Sequence, residues 1–120
     1  MPAISKQQTQ RVERLAGLER RFGEVDGYTV SFEAYSEDQD FAWLDKGLPG
    51  DRCPCPHWGM VLKGTLIYRY AGGEDGITAG QAFYARPHHT AWLAAGTELV
   101  KFSPTVDGGW GILHLVDHED

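Results

Sequence analysis

The sequence lacks an excess of positive charge, a long hydrophobic run and all but two cysteines. Its 11 lysines and arginines stand against 17 aspartates and glutamates, a net charge of −6. This balance argues against nucleic-acid and anionic membrane partners, because both require a basic face. No apolar run approaches the ~20 residues of a membrane-spanning helix, and the polar N-terminus lacks the apolar centre of a signal peptide. These features predict a cytoplasmic protein with reduced thiols.

The composition indicates one globular domain. The chain has 120 residues, of which 42% are apolar and 23% charged, and such a chain can form a core without disulfides. Fifteen glycines and six prolines indicate many turns and short strands. Cys53 and Cys55 flank a single proline, and a bridge between residues so close would be strained. We therefore expect both cysteines to remain thiols.

The first 27 residues carry a helical pattern. Ser5 and Gln8 have the spacing of a capping box. The apolar residues that then recur at steps of three and four are Val12, Leu15, Leu18 and Phe22. This period predicts an amphipathic helix over about residues 6–22, ending near Gly23. We expect it to form an N-terminal extension, residues 1–27, that packs on the domain without carrying a site.

From Tyr28 the apolar period changes to two, which predicts strands. An acidic connection over residues 37–51, with Phe41, Trp43 and Leu44 as anchors, separates the first strand from the rest. Short apolar segments bounded by turn residues then follow at even spacing: GMVLKG, TLIYRY, ITAG, QAFYARP, TAWLAAG, ELVKFSP and WGILHLV. The stretch AGGEDG, residues 71–76, is typical of a hairpin turn. This pattern predicts an all-β barrel or sandwich over residues 28–120.

The stretch CPCPH, from Cys53 to His57, combines metal-ligand residue types with two prolines. The prolines hold the backbone extended, so Cys53, Cys55 and His57 share one side of the segment. Thiolate with imidazole favours Zn, Fe or Cu over Mg or Ca. His57 is the strongest candidate, because a neutral imidazole both binds metals and acts as an acid or base near pH 7. Ordinary burial in the core is the alternative for both Cys53 and His57.

The order of these pieces resembles the cupin superfamily over residues 51–104. Cupins carry the motifs H-x-H-x(3–4)-E-x(6)-G and, two strands later, G-x(5)-P-x-G-x(2)-H. Gly64 takes the last position of the first motif and Gly80 the first position of the second. The four metal-ligand positions fall on Asp51, Cys53, His57 and Ala91. His89 lies two residues before the last of these and on a strand would face the same way, whereas His88 would not.

The resemblance implies a small jelly-roll barrel whose cavity holds a divalent transition metal between Cys53, His57 and His89. Zn, Fe, Mn, Ni and Cu are the candidate ions, and a metal-free site remains open. Very small cupins include isomerases, cyclases, dehydratases, dioxygenases and metabolite-binding proteins. We therefore expect an enzyme that acts on a small carbonyl- or ring-containing metabolite, or else a sensor or carrier of one. Cupins often pair through an edge strand, which implies a homodimer.

Further residues on the strands are predicted to serve the cavity. Tyr84 shares a face with Arg86 by alternation and is a candidate proton donor beside His57. A small barrel with a cavity is usually lined by aromatic side chains and a few polar groups. The candidates for substrate contact, each with ordinary packing or surface exposure as the alternative, are Tyr68, Phe83, Arg86, Trp92, Phe102 and His114.

Overall fold

A computed structural model of the protein describes residues 3–43, 47, 50 and 52–105. Within these residues the chain forms ten β-strands and two short 3₁₀ helices, at Lys6–Gln8 and Phe41–Trp43. The strands are β1 (Arg11–Leu15), β2 (Leu18–Val25), β3 (Tyr28–Tyr35), β4 (Gln39–Asp40), β5 (His57–Lys63), β6 (Thr65–Tyr70), β7 (Gly73–Thr78), β8 (Ala82–Ala85), β9 (Thr90–Leu93) and β10 (Glu98–Pro104). No helix in the described ranges is long and apolar enough to cross a membrane.

The strands form two antiparallel sheets that pack on one core. The larger sheet has the order β1-β2-β3-β10-β5-β8, and the smaller has the order β4-β9-β6-β7. Val61 and Leu99 of the larger sheet join Leu66 and Leu93 of the smaller one in the same buried cluster, each at most 2% exposed. Because each strand alternates its side chains, every strand also presents a second set of residues away from this core. The prediction of an all-β jelly roll is confirmed.

The predicted N-terminal helix is wrong, because residues 11–25 form a β-hairpin. β1 and β2 pair antiparallel, with Leu15 opposite Leu18. The turn lies at Ala16 and Gly17, and Gly17 adopts a φ of 76°, which residues with a side chain rarely tolerate. Ser5 and Gln8 close only the short 3₁₀ turn, through a hydrogen bond of 3.0 Å between their backbone groups. The spacing of three and four thus arises from two short strands joined by a tight turn.

The hairpin was not predicted because a buried charged residue interrupts the apolar alternation of β2. In β2 the inward residues are Leu18, Arg20 and Phe22, all of them buried. Arg20 breaks the apolar alternation, yet it lies inside because Glu13 and Glu33 flank it at 3.6 and 3.4 Å. The pairing continues without a break, since β2 runs beside β3 over its whole length. Residues 18–25 therefore belong to the sheet that the strands after residue 27 complete.

The segments from GMVLKG to ELVKFSP each contain strand residues, as predicted. The hairpin turn after β6 is tighter than expected, because only Ala71 and Gly72 form it and β7 already begins at Gly73. Gly64, at the end of the first motif, has a φ of 83°, and a side chain there would collide with Thr97. The segment WGILHLV lies outside the described residues, as do Leu44 and Asp51.

Candidate metal centre

Three side chains of types that can bind a metal meet inside the barrel. Cys53 lies before β5, His57 begins β5 and His89 lies just before β9, and they are 7%, 6% and 2% exposed. The backbones of Cys53 and His89 form an isolated bridge, with N–H···O distances of 2.8 and 3.2 Å. One ligand atom from each of the three residues lies within 4.8 Å of the others. The bridge thus joins the first motif to the second at the site itself.

The ring of His57 has a polar partner at each nitrogen. Its Nε2 lies 3.9 Å from Sγ of Cys53, and its Nδ1 lies 2.6 Å from Oγ of Ser103. Ser103 lies on β10, on the same inward face as Lys101. β10 pairs directly with β5, the strand that His57 begins. A proton on Nδ1, donated to the serine, leaves a lone pair on Nε2 that points toward the cysteine.

The ring of His89 is held by the backbone. Its Nδ1 lies 2.7 Å from the carbonyl oxygen of Arg86, and a carbonyl only accepts, so Nδ1 carries the proton and donates it. The neutral ring therefore has its lone pair on Nε2. The centroids of the His57 and His89 rings are 4.9 Å apart. Both rings are thus oriented by bonds to the nitrogen that a metal would not use.

Burial keeps both histidines neutral. It lowers the pKa of His57 well below its ordinary range, and the positive charges of Lys101 and Arg20 act in the same direction. Burial also lowers the pKa of His89 to about 4, against the weaker opposing effect of the Arg86 carbonyl. A neutral imidazole is the form that binds metal, so both rings are ready to act as ligands at pH 7.

The donor set fits a small divalent transition metal. With Zn–S near 2.3 Å and Zn–N near 2.0–2.1 Å, tetrahedral ligands give an S···N separation of roughly 3.6 Å. The observed 3.9 Å between Cys53 and His57 is only a few tenths of an ångström longer. One sulfur with two imidazoles also suits Zn, Fe and Cu better than Mg or Ca. The residue types present, and the distance between Cys53 and His57, therefore fit the metal that the cupin resemblance implies.

The neighbouring cysteine and histidine have different surroundings. Cys55 is 4% exposed, but its Sγ faces the carbonyl of Pro56 at 3.6 Å. Burial raises the pKa of the Cys55 thiol, and neither cysteine is in a disulfide. His88 is exposed and has a φ of 71°. The turn at His88 directs the two adjacent histidines differently, so that His89 alone is buried.

Two of the predicted contact residues lie beside the cluster. The ring of Tyr68, on β6, is 4.8 Å from that of His89 and 6.4 Å from that of His57. Phe83, on β8, packs against Tyr68 with a centroid distance of 5.6 Å. Burial, with the nearby negative charge of Glu33, holds the pKa of the Tyr68 hydroxyl well above its usual range. Tyr68 therefore keeps its proton at neutral pH.

The structure corrects the placement of Tyr84 and Phe102. Tyr84 pairs with Trp58 across β5 and β8, whereas the inward His57 pairs with Ala85. It is 52% exposed, and Phe102 is 42% exposed, so both lie on the outer face of the larger sheet. Alternation predicts which residues of a strand share a face, but it does not say which face is inside.

The remaining predicted contacts lie at the edge of the interior or beyond it. The guanidinium of Arg86 is exposed and stacks 3.8 Å above the ring of Tyr70, so at the cluster Arg86 acts through its carbonyl. Trp92 is half-buried and pairs with Ile67, one position away from the inward pair of Tyr68 and Ala91. His114 lies outside the described residues.

Sequence reasoning missed the polar residues that β3 and β10 place in the interior. Glu33 is 3% exposed and lies 3.2 Å from Nζ of Lys101. It also accepts hydrogen bonds from Ser31 at 2.8 Å and from Tyr35 at 2.5 Å. The sequence signalled only the inward placement of the two β10 residues, because in ELVKFSP Lys101 and Ser103 share the face of the apolar Leu99.

Comparison with known proteins shows the fold alone. No family model matches the chain, and no curated protein matches it. An RmlC-like cupin from Shewanella frigidimarina has a similar structure with a TM-score of 0.58 and 20% identity, over 87% of this chain and 91% of that one. The structure of KdgF from Halomonas sp. is similar with a TM-score of 0.53 and 15% identity, over 82% of this chain and 89% of that one. The structure of the polyketide cyclase RemF from Streptomyces resistomycificus is similar with a TM-score of 0.57 and 11% identity, over 87% of this chain and 79% of that one.

These likenesses, with the two packed antiparallel sheets, show a small cupin-type jelly-roll fold. In the motif alignment that the cupin resemblance implies, Cys53 and His57 fall on two of the usual ligand positions, and His89 lies two residues before a third. The cluster of Cys53, His57 and His89 could hold a metal ion.

Proposed function

We propose that the protein is a small cupin-fold metalloenzyme acting on a carbonyl- or ring-containing metabolite inside the barrel. The observation that carries the proposal is the meeting of three buried ligand atoms, from Cys53, His57 and His89, within 4.8 Å. Catalytic zinc sites use three protein ligands and leave one position for water or substrate. A bound divalent ion would supply Lewis acidity toward a carbonyl or enolate oxygen.

The chain's own residues support the same chemistry. The ring of Tyr68 lies next to both histidines and its hydroxyl keeps its proton, so Tyr68 can donate a hydrogen bond or a proton to a substrate oxygen. The positive charge of Lys101 acts on both rings, and it favours substrates that carry or develop negative charge on oxygen. Glu33 balances this lysine in the resting protein. The combination suits isomerisation, cyclisation, dehydration or oxygenation, and one of the similar structures is a polyketide cyclase.

The decisive experiment is a metal analysis of the purified full chain, prepared without chelator. We expect close to one Zn, Fe, Mn, Ni or Cu ion per chain. Cys53→Ser, His57→Ala and His89→Ala should each bind the ion at least ten-fold more weakly. Cys55→Ser is the matched thiol control and should retain the metal. Saturating cobalt added to the metal-free protein gives a second readout, because a thiolate ligand produces a characteristic absorption band. At saturation this band should be absent from Cys53→Ser and present in Cys55→Ser and in both histidine variants.

The interior also suits a second function, the non-catalytic binding of a small hydrophobic metabolite. The observation in favour is the aromatic lining, where Tyr68, Tyr70 and Phe83 are all less than 10% exposed. A protein that remains metal-free after dialysis against each candidate ion, and that still binds small aromatic metabolites, would establish the carrier and exclude the metalloenzyme.

A further inference from the structure

Arg86 connects the protein surface with the histidines of the candidate metal centre. It directly follows β8, an edge strand of the larger sheet. Its carbonyl holds the His89 ring, while its exposed guanidinium stacks 3.8 Å above the ring of Tyr70, on β6 of the smaller sheet. The rings of Tyr70 and His89 have centroids 6.2 Å apart. One aromatic ring therefore lies between a cationic side chain and the candidate centre.

The guanidinium of Arg86 has no carboxylate partner within the described residues, and its N–H groups form no hydrogen bond there. Four other arginines are each paired with a carboxylate, namely Arg14, Arg20, Arg21 and Arg69. Carboxylates are abundant, with 17 acidic residues against 11 lysines and arginines. A guanidinium that stacks on a ring keeps the N–H donors in its plane available. Arg86 can therefore form two parallel hydrogen bonds with the carboxylate of a ligand.

The hydroxyl of Tyr70 is a second polar group in need of a partner. Tyr70 is 9% exposed, and its oxygen is buried without a hydrogen bond of good geometry to any described residue. Burial and the negative charge of Asp75 raise the pKa of this hydroxyl, against weaker opposing effects of the backbone and charge of Arg86. The hydroxyl thus keeps its proton, and a buried donor without an acceptor costs free energy. A ligand carboxylate that draws the Arg86 side chain off the ring supplies that acceptor.

Aromatic side chains continue from Arg86 to the cluster. Tyr70, Tyr68 and Phe83 are all less than 10% exposed. The Tyr68 ring lies 5.6 Å from that of Phe83 and 4.8 Å from that of His89. Aromatic side chains stack well on flat, apolar rings, and a few polar groups at the end of an apolar site fix the orientation of a ligand. The surroundings therefore suit a flat ring that carries a carboxylate.

We infer that Arg86 and Tyr70 form an anion subsite, which binds the carboxylate of a ring-containing substrate whose ring lies against Tyr68 and Phe83. As a substrate subsite it rests on the proposed function, because it directs the rest of the ligand toward the metal centre. Binding of the anion itself does not require the metal, since neither the guanidinium nor the hydroxyl belongs to the three-residue cluster.

An NMR titration of the isotope-labelled full chain with benzoate, at constant ionic strength, tests the subsite. Benzamide is the matched control ligand, because it has the same ring and no charge. We expect benzoate to shift the backbone amide signals of Arg86 and Tyr70 and to bind roughly ten-fold or more tightly than benzamide, since hydrogen bonds between charged groups are the stronger ones. Equal affinities for the two ligands would overturn the proposal.

Variants assign the binding to the subsite. Arg86→Gln should weaken benzoate binding about ten-fold or more and leave the metal content unchanged, because the carbonyl that holds His89 remains. Arg86→Lys should restore only part of the affinity, since an ammonium lacks the planar pair of donors. Tyr70→Phe should bind several-fold more weakly, and Asp75→Asn more tightly, because it removes the nearby negative charge. Arg14→Gln, an exposed arginine on β1 at the opposite edge of the larger sheet, is the control and should bind like the wild type.

The subsite and the metal can fail separately when the titration is run on the chain as purified and again after removal of any metal. Benzoate binding that depends on Arg86 in a chain without metal would support the subsite and overturn the metalloenzyme. A chain that holds a metal, but whose Arg86→Gln variant binds benzoate as the wild type does, would overturn the subsite alone. Unchanged affinity in Tyr70→Phe would overturn the assignment of the hydroxyl to the subsite.

Discussion

The carbonyl of Arg86 accepts a hydrogen bond of 2.7 Å from Nδ1 of His89. This bond leaves Nε2 as the ring nitrogen that is available to bind a metal. A serine hydroxyl fixes the position of the ring proton less firmly than a carbonyl does, because a hydroxyl can either donate or accept a hydrogen bond. His57 has that less restrictive arrangement, with Ser103 at 2.6 Å from its Nδ1. The two histidines of the candidate centre are therefore oriented by different means, one by backbone and one by a side chain that can be removed.

Removing the serine hydroxyl should weaken metal binding. Ser103→Ala deletes the group that holds His57, and loss of such a supporting hydrogen bond typically costs 10–100-fold in metal affinity. Competition with a chromophoric chelator measures the change. Ser36→Ala, at an exposed position, is the control and should bind like the wild type. Equal affinities for the two variants would mean that Ser103 does not orient the ring.

The two adjacent histidines should differ sharply in importance. His89→Asn removes a buried ring of the cluster and should lower metal affinity or turnover ten-fold or more, about 1.4 kcal/mol. His88→Asn should leave both within a few-fold, because His88 is exposed. Asparagine suits that position, since it tolerates the positive φ of 71° better than alanine does. The reverse outcome, with His88 essential and His89 silent, would contradict the geometry of the site.

The fold after Tyr28 could be predicted because its strands alternate apolar and polar residues between clear turns. The N-terminal hairpin could not, since Arg20 is a charged residue at an inward position and Glu33, its partner, lies on the next strand. A buried ion pair reverses the polarity of two positions at once, and a single sequence contains no sign of the pairing. The helical spacing around Leu15 and Leu18 was then the stronger local pattern.

For the candidate site, motif spacing along the chain was enough to select candidate ligands. It was not enough to decide which face of a strand points into the interior. Cys53 and His57 could be selected because Gly64 matches the last position of the first cupin motif, and counting back from it places two ligand positions on these residues. Tyr84 could not be placed, because alternation is unchanged when a strand turns its other face to the core. Ser103 was missed because its role depends on β10 lying beside β5, a contact between residues 46 positions apart.

Breaking the buried ion pair should destabilise the fold. Glu33→Gln leaves Arg20 and Lys101, whose side chains are 7% and 18% exposed, without their shared carboxylate. Removing one partner of a buried pair typically costs about 3–5 kcal/mol, and urea unfolding measures it. The control Glu74→Gln breaks the exposed pair with Arg69, where about 1 kcal/mol or less is expected. Comparable losses in the two variants would show that burial of Glu33 is energetically unimportant.

The same carboxylate should make the protein sensitive to acid. Burial by itself would raise the pKa of Glu33, but Lys101 and Arg20, with hydrogen bonds from Tyr35 and Ser31, lower it from 4.5 to about 2. A group with a lowered folded-state pKa adds stability above its unfolded pKa, and that contribution is lost as the pH falls toward the folded value. The window is therefore about pH 5 to 2, and a shift of this size corresponds to about 3 kcal/mol.

Urea unfolding of the wild type and of Glu33→Gln at intervals across that window isolates the effect. His89, whose pKa is about 4, titrates in both proteins, so the difference between the two curves belongs to Glu33. We expect the free energy of unfolding of the wild type to fall more steeply with acid, so that the two proteins converge near pH 2. Parallel curves would mean that the Glu33 carboxylate has the same proton affinity in the folded and unfolded chains, and that Lys101 and Arg20 do not stabilise its charge.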